Sequence, residues 1–257
     1  MPLSILTMLL YATASLMQSL VQRVHRVKHW VLLFGVIAVV CHGILLYRWI
    51  DLAMGQNLTI FNMLSILIWL ISLFILIVAW FTAVEMLVVF IFPVAIVSIV
   101  LVLSFPSQFI MTTTANPGEL FHIILSIVTF AILCVAGFQA FLLALQERTL
   151  RLNPEREFIH RLPPLVTMEK LLFQIITAGF VFLSILLVTS IYYFHAQLLQ
   201  NILVFQKTTL VVFAWMIFAM LLSGRYLWGW RGRKAVYCTL YGVLLLLIVY
   251  FGSKLIH

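Results

Sequence analysis

Two histidines fall inside long apolar stretches of this chain, where a titratable side chain is unusual. His42 lies within one such stretch, and His122 lies near the start of another. An imidazole in an apolar segment can ligate a metal through one ring nitrogen, or it can hydrogen-bond a hydroxyl group and close a helix interface. Ionisable residues inside a membrane segment are functional hypotheses by default. The two histidines are therefore the candidate site, and both interpretations are open.

The residues around each histidine predict a close contact with another helix. At helical spacing, Gly35 and Ala38 share a face with His42, and a longer row that is small or polar at every position except Leu133 shares a face with His122. That row is Ser126, Thr129, Leu133, Ala136 and Ala140. Because small residues let transmembrane helices approach closely, each histidine is expected to face a neighbouring helix instead of lipid.

The composition is that of a membrane protein. Hydrophobic residues make up 65% of the chain, charged residues make up 9%, and the mean hydropathy is +1.21. A soluble domain is about half apolar and about a quarter charged, so this chain has no room for one. The net charge of +8 is attributed to positive loops on the cytoplasmic side. Nucleic acid is therefore not an expected partner.

Eight apolar runs divide the chain, and each is long enough to cross a bilayer as a helix. Lipid cannot satisfy open backbone groups, so uninterrupted runs of this length must be helical. We therefore predict an all-α, polytopic protein with eight transmembrane helices in a single integral membrane domain, 1–257. The predicted spans are 3–21, 30–50, 61–80, 85–104, 118–146, 171–194, 207–224 and 236–253.

The basic residues predict the direction of crossing. Most of the 15 Lys and Arg residues follow the first, fifth and seventh runs, whereas Arg48, Lys207 and Lys254 lie at the opposite ends of the runs. Basic loops stay in the cytoplasm. Alternating eight spans reproduces this distribution only when both termini are extracytoplasmic.

The sequence lacks the residues that several classes of enzyme and transporter require. There is no Gly-rich phosphate loop, Asp51 is the only aspartate, and no pair of carboxylates lies within the apolar runs. The three cysteines form no Cys-x-x-Cys motif. No catalytic residue is therefore predicted, and an enzyme is not expected. The apolar runs also lack the charged residues that a transporter of small molecules driven by protons or cations needs to relay them.

Short motifs spread along the chain in a fixed order resemble those of a known family. They are Cys41-His42, Gly55-Gln56-Asn57-Leu58, residues 118–126, Pro163-Pro164-Leu165, Ala214-Trp215, residues 229–233 and residues 250–253. Together they resemble the cytochrome c assembly membrane-protein family, the group that includes CcsA and CcmC. The similarity is greatest to its HemX-like and YpjD-like branch.

This resemblance implies haem handling at a bacterial inner membrane. Members of the family carry haem to the outer face and hold its iron between two histidines that flank a tryptophan-rich outer loop. His122 matches the first of these histidines. A histidine pair is also a normal axial set for a b-type haem. The resemblance therefore implies haem as the cofactor and His122 as a ligand of its iron. With His42, the other histidine in an apolar run, it makes up the predicted axial pair of a haem b, and membrane lipid and haem are the expected partners.

The chain also departs from the family in two places. The tryptophan-rich motif is expected between the sixth and seventh spans, yet the segment from His195 to Lys207 contains no Trp and no Asp. The second external histidine is expected where the chain has Ser223. An alternative function is therefore a non-catalytic accessory protein. It acts on a membrane or cytoplasmic protein partner, such as a haem-synthesis enzyme or an ion transporter.

Overall fold

The computed structural model describes residues 2–20, 25–52, 55–57, 59–81, 86–106, 110–111, 117–152 and 164–255. In this part of the chain, eight helices are long and apolar enough to cross a membrane. They are α1 (Pro2–Leu20), α2 (His25–Ile50), α3 (Ile60–Phe81), α4 (Met86–Ser104), α5 (Pro117–Leu152), α6 (Leu165–Gln200), α7 (Ile202–Trp228) and α8 (Arg233–Leu255). The prediction of an all-α protein with eight spans is confirmed. The side of the membrane on which each terminus lies stays a prediction.

Helix α5 is longer than its apolar run. The run predicts 118–146, but the helix continues to Leu152. In the added turn, Arg151 forms an ion pair of 2.6 Å with Glu147, four residues earlier. A Glu placed four residues before a basic residue stabilises a helix, which explains why α5 extends past the apolar stretch.

Helix α6 also begins before its apolar run. The run predicts a start at residue 171, but the helix starts at Leu165. The carbonyl of Pro164 accepts hydrogen bonds from the amides of Thr167 and Met168. Pro164 therefore ends the preceding segment and provides the first helical acceptor, and Thr167 lies inside the first turn.

The connection between α6 and α7 differs most from expectation. The sequence predicts a short, half-apolar connection over residues 196–206, with an interfacial helix as one interpretation. The segment is helical, but it belongs to the ends of α6 and α7, and only Asn201 separates these two helices. Asn201 has an extended backbone, and its side chain accepts a hydrogen bond of 3.0 Å from the amide of Leu203. The segment contains no Gly or Pro, so both helices continue until the Asn cap.

The first compact unit, Met1–Thr114, contains α1 to α4. Its helices form a ring in which α1 packs against α2 and α4, and α3 packs against the same two helices. A small antiparallel sheet joins the α2–α3 connection to the segment after α4. Its strands are β1 (Asp51–Leu52), β2 (Gly55–Asn57) and β3 (Ile110–Met111).

A proline inside α4 is compensated by a neighbouring helix. Pro93 has no amide hydrogen, so the carbonyl of Val89 loses its partner within the helix. The hydroxyl of Ser15 on α1 donates to that carbonyl across 3.3 Å. The helix therefore continues through Pro93. The carbonyl of Val89, which has no partner within α4, binds Ser15 and so positions α1.

The second compact unit, Ala115–His257, contains α5 to α8. Here α5 packs against α6 and α8, and α7 packs against the same two helices. Near one end, the buried carboxylate of Glu169 on α6 accepts from Arg225 on α7 (3.0 Å) and from Arg231 in the turn after it (3.3 Å). This cluster links the first turns of α6 to the end of α7 and to the turn that follows it.

The close helix contact predicted for the His122 face of α5 is confirmed deeper in the second unit. Thr129, Leu133, Ala136 and Ala140 are each no more than 1% exposed. Gly179 of α6 lies directly against the side chain of Leu133, where a larger residue would collide. Small residues on both helices therefore allow the close approach that positions α6 beside His122.

Candidate functional site

His42 lies in the core of the first unit and is fully buried. Its Nδ1 is 3.2 Å from the hydroxyl of Tyr11 on α1, and its Nε2 is 2.9 Å from the Oγ of Ser65 on α3. Gly35 and Ala38 precede it on the same face, as predicted, and a Cβ on Gly35 would lie 2.8 Å from a neighbouring leucine carbon. The imidazole therefore connects three helices of this unit.

The direction of each hydrogen bond around His42 follows from the hydroxyl groups. Ser98 on α4 donates its one hydrogen to the carbonyl of Ala95 (2.8 Å). Ser65 then donates to Ser98 across a longer 3.5 Å and accepts from Nε2–H of His42. Nδ1 is left to accept from the hydroxyl of Tyr11. Both ring nitrogens of His42 are therefore used within the protein.

His122 lies in the second unit, near the start of α5 and beside the end of α6. It is half-buried, and its Nδ1 is 2.9 Å from the hydroxyl oxygen of Thr189. The edge of its ring meets Phe194, with the centroids 5.0 Å apart. One turn earlier, a Cβ on Gly118 would collide with the ring of Tyr193. The glycine therefore lets an aromatic side chain of α6 cover the first turn of α5.

The tautomer of His122 also follows from its partner. The hydroxyl of Thr189 donates its hydrogen to the carbonyl of Leu186 across 2.9 Å. It can then only accept from His122, so Nδ1 carries the proton and Nε2 carries a lone pair. Within the part of the chain that the structure describes, no hydrogen bond reaches Nε2. A histidine anchored through Nδ1 with a free Nε2 is the usual arrangement of a metal-ligating imidazole.

The two candidate histidines thus have different surroundings. His42 belongs to the first unit, and both of its ring nitrogens are hydrogen-bonded. His122 belongs to the second unit, and within the described residues its Nε2 has no hydrogen bond. Their action as a pair on one iron stays a prediction. The backbone of His195 lies in α6, but its side chain lies outside the described residues.

The structure corrects the position assigned to the second external histidine. Ser223 lies two residues before Arg225, which bonds Glu169 in the first turns of α6. His122 instead bonds Thr189 near the other end of α6. Glu169 and Thr189 are about 30 Å apart along that helix. Ser223 therefore lies at the wrong end of the second unit to be the counterpart of His122, and α7 carries no histidine at either end.

Sequence reasoning found the histidines but missed the side chains that fix their protonation. Tyr11, Ser65 and Thr189 are hydroxyl residues within apolar spans, and each bonds a histidine. A hydroxyl residue within an apolar span was the available signal that a side chain there has a hydrogen-bond partner. It does not identify the partner, because the register between two helices is not visible in one sequence.

Comparison with known proteins places this fold in a family. The family model of cytochrome c assembly proteins matches residues 30–257. Inner membrane protein YpjD of Escherichia coli strain K12 is 33% identical over 233 residues, which cover 90% of this chain and 87% of that protein. An uncharacterized 28.8 kDa protein of Azospirillum brasilense is 30% identical over 138 residues, 52% of this chain and 50% of that protein. No solved structure matches the chain.

The matched region includes both candidate histidines and seven of the eight helices, from α2 to α8. The eight apolar helices and the similarity to an inner membrane protein both indicate that the chain lies in the bacterial inner membrane. The chain is a multi-pass bacterial inner membrane protein that belongs to the cytochrome c assembly family.

Proposed function

We propose that this protein handles haem b in the inner membrane and that His122 is its ligand to the haem iron. The observation that carries the proposal is the hydrogen bond of 2.9 Å between Nδ1 of His122 and Thr189. It orients the imidazole and leaves Nε2 with a lone pair. Membership of the cytochrome c assembly family supports haem as the group that this nitrogen meets.

The residues around His122 fit a haem. A bound haem supplies an iron atom that accepts a neutral imidazole nitrogen as axial ligand. Thr189 holds the proton on the opposite nitrogen, which raises the basicity of the ligand and fixes the ring. Phe194, Tyr193 and the exposed Phe121 provide an apolar, aromatic environment at the same end of α5 and α6.

His42 fits a haem less well in the described arrangement. To ligate iron, it has to give up its hydrogen bond to Tyr11 or to Ser65. Each intramembrane hydrogen bond contributes about 0.6 kcal/mol, and at most about 1.7 kcal/mol. That cost is small enough for a strong ligand bond to exceed it. His122 is therefore the proposed ligand, and the action of His42 beside it on one iron stays a prediction from the sequence.

A second function is favoured by the connection between α6 and α7. A platform that presents haem to another protein needs a loop there, and the chain provides only Asn201. We therefore also propose an accessory role, in which the protein regulates a membrane or cytoplasmic partner without presenting haem itself. Expression in a strain without its own cytochrome c assembly system tests this role, since the accessory protein does not restore covalent haem in a reporter cytochrome.

The visible spectrum of the purified protein tests the proposed haem function. Protein isolated from haem-replete cells is expected to show a Soret band, with sharp bands after reduction that are typical of a low-spin b-type haem. Extraction with acidified acetone is expected to remove the colour, because no cysteine motif attaches haem covalently. Colourless protein after haem has been supplied would contradict the proposal.

A further inference from the structure

A cavity of about 370 Å³ lies in the second unit, between the last turns of α5 and the first turns of α8. Three arginines line it: Arg148 and Arg151 from α5, and Arg233 from α8. All three side chains are exposed. The cavity lies far along α5 from His122 and shares no residue with that site.

The charges at this cavity are not balanced. Glu147 is the one carboxylate that lines it, and this group is paired with Arg151 across 2.6 Å. Arg233 donates to the hydroxyl of Tyr237 across 3.2 Å, which orients its guanidinium without neutralising it. Arg148 has no ion pair within the described residues. Among the described residues that line the cavity, arginines therefore outnumber carboxylates by three to one.

The deeper side of the cavity is apolar. Ala144 of α5 and Leu240 of α8 line it there. One turn further along the same helices, Phe141 is 54% exposed and Leu244 is 52% exposed. The surface therefore changes from guanidinium groups to hydrocarbon along the direction in which the helices enter the membrane. A soluble anion needs only the charged end of such a cavity, whereas a lipid uses both.

We propose that this cavity binds the phosphate of an anionic phospholipid, with its acyl chains along Phe141 and Leu244. Guanidinium groups bind phosphate oxygens through paired, charge-assisted hydrogen bonds. Positive loops follow from topology, but topology does not require arginines of two helices to converge on one cavity with an apolar side.

The test measures phosphatidylglycerol binding to the full chain in detergent by native mass spectrometry. Phosphatidylcholine with the same acyl chains is the reference lipid. We expect phosphatidylglycerol to bind about tenfold more tightly, and Arg148→Gln to remove most of that difference. Arg233→Gln is expected to act in the same direction. If the Arg233→Gln variant fails to insert into the membrane, the Arg148→Gln variant alone tests the proposal, because Arg148 forms no ion pair within the described residues.

Lys170→Gln is the matched control. This substitution removes one positive charge at the same end of the unit, and Lys170 is exposed and lies outside the cavity. It is expected to leave the lipid preference unchanged. Equal binding of the two lipids, or an equal loss in the Lys170 and Arg148 variants, would overturn the proposal. Displacement of phosphatidylglycerol by inorganic phosphate or by haemin alone would assign the cavity to that anion and also overturn it.

Discussion

The two histidines differ in what their ring nitrogens can do. His42 is a donor and an acceptor in a buried row of hydroxyl groups that connects four helices. His122 uses one nitrogen to fix its ring against Thr189 and keeps the other unbonded within the described residues. Two residues of the same type, both in apolar spans, therefore support different roles. The contacts of His42 support a role in packing, and those of His122 support its proposed role as the haem ligand.

Replacement of Thr189 tests how His122 is held. Thr189→Val keeps the shape of the side chain but removes the acceptor for Nδ1–H. We expect it to weaken haem binding by about 10- to 100-fold, as loss of the partner of a metal-ligating histidine does. Thr189→Ser keeps the hydroxyl and is expected to bind like the wild type. Haem titration followed at the Soret band measures both, and equal affinities for the Val and Ser variants would contradict the role of Thr189.

Replacement of His42 tests its role in packing. His42→Ala removes the hydrogen bonds to Tyr11 and Ser65. We expect a loss of about 0.6 kcal/mol for each bond and at most about 1.7 kcal/mol, together with the cost of the space left by the ring. Unfolding in detergent with increasing dodecyl sulfate measures this loss. The variant is expected to keep a Soret band, and complete loss of that band would instead show that His42 is an essential ligand.

At the scale of the elements, apolar runs predicted where the helices are but not where each one ends. The runs contain no information on Glu147 and Arg151, whose ion pair extends α5, or on Asn201, which alone separates α6 from α7. Both depend on polar residues outside the hydrophobic pattern. The candidate site was limited in the same way. Its histidines stand out by type, but Thr189 becomes the partner of His122 only through the register of two helices.

The contact between Ser15 and Val89 tests how a proline is accommodated in α4. Ser15→Ala leaves the Val89 carbonyl without its partner, and we expect a loss of about 0.6 to 1.7 kcal/mol. In a Pro93→Ala background, the new amide at residue 93 bonds that carbonyl within the helix, so the same replacement should cost almost nothing. A double-mutant cycle on the free energy of unfolding measures the difference. Equal losses in both backgrounds would mean that Ser15 does not compensate for Pro93.

At the scale of the whole molecule, the distribution of charge predicts the orientation in the membrane. Arginines cluster at the end of α5 and at the start of α8, and Glu169 balances a further pair where α7 ends. Such loops remain in the cytoplasm. Both termini are accordingly expected outside it.

Thiol labelling of intact cells measures this orientation. In a parent chain whose cysteines at 41, 134 and 238 are replaced, Ser104→Cys is expected to react with a membrane-impermeant maleimide. Arg151→Cys is expected to react only after the cells are opened. Both positions are exposed in the structure, so access to the reagent depends on the side of the membrane. Labelling of Arg151→Cys in intact cells would reverse the predicted topology.

The central claim is that His122 holds haem through Nε2. Its most direct test compares variants in which one histidine is replaced, each purified from haem-replete cells. The wild type and His29→Ala, which removes an exposed histidine of α2, are expected to show the same Soret band. His122→Ala is expected to lose the band while the protein still inserts and purifies at the same size. An unchanged Soret band in His122→Ala, at equal haem per protein, would contradict the account.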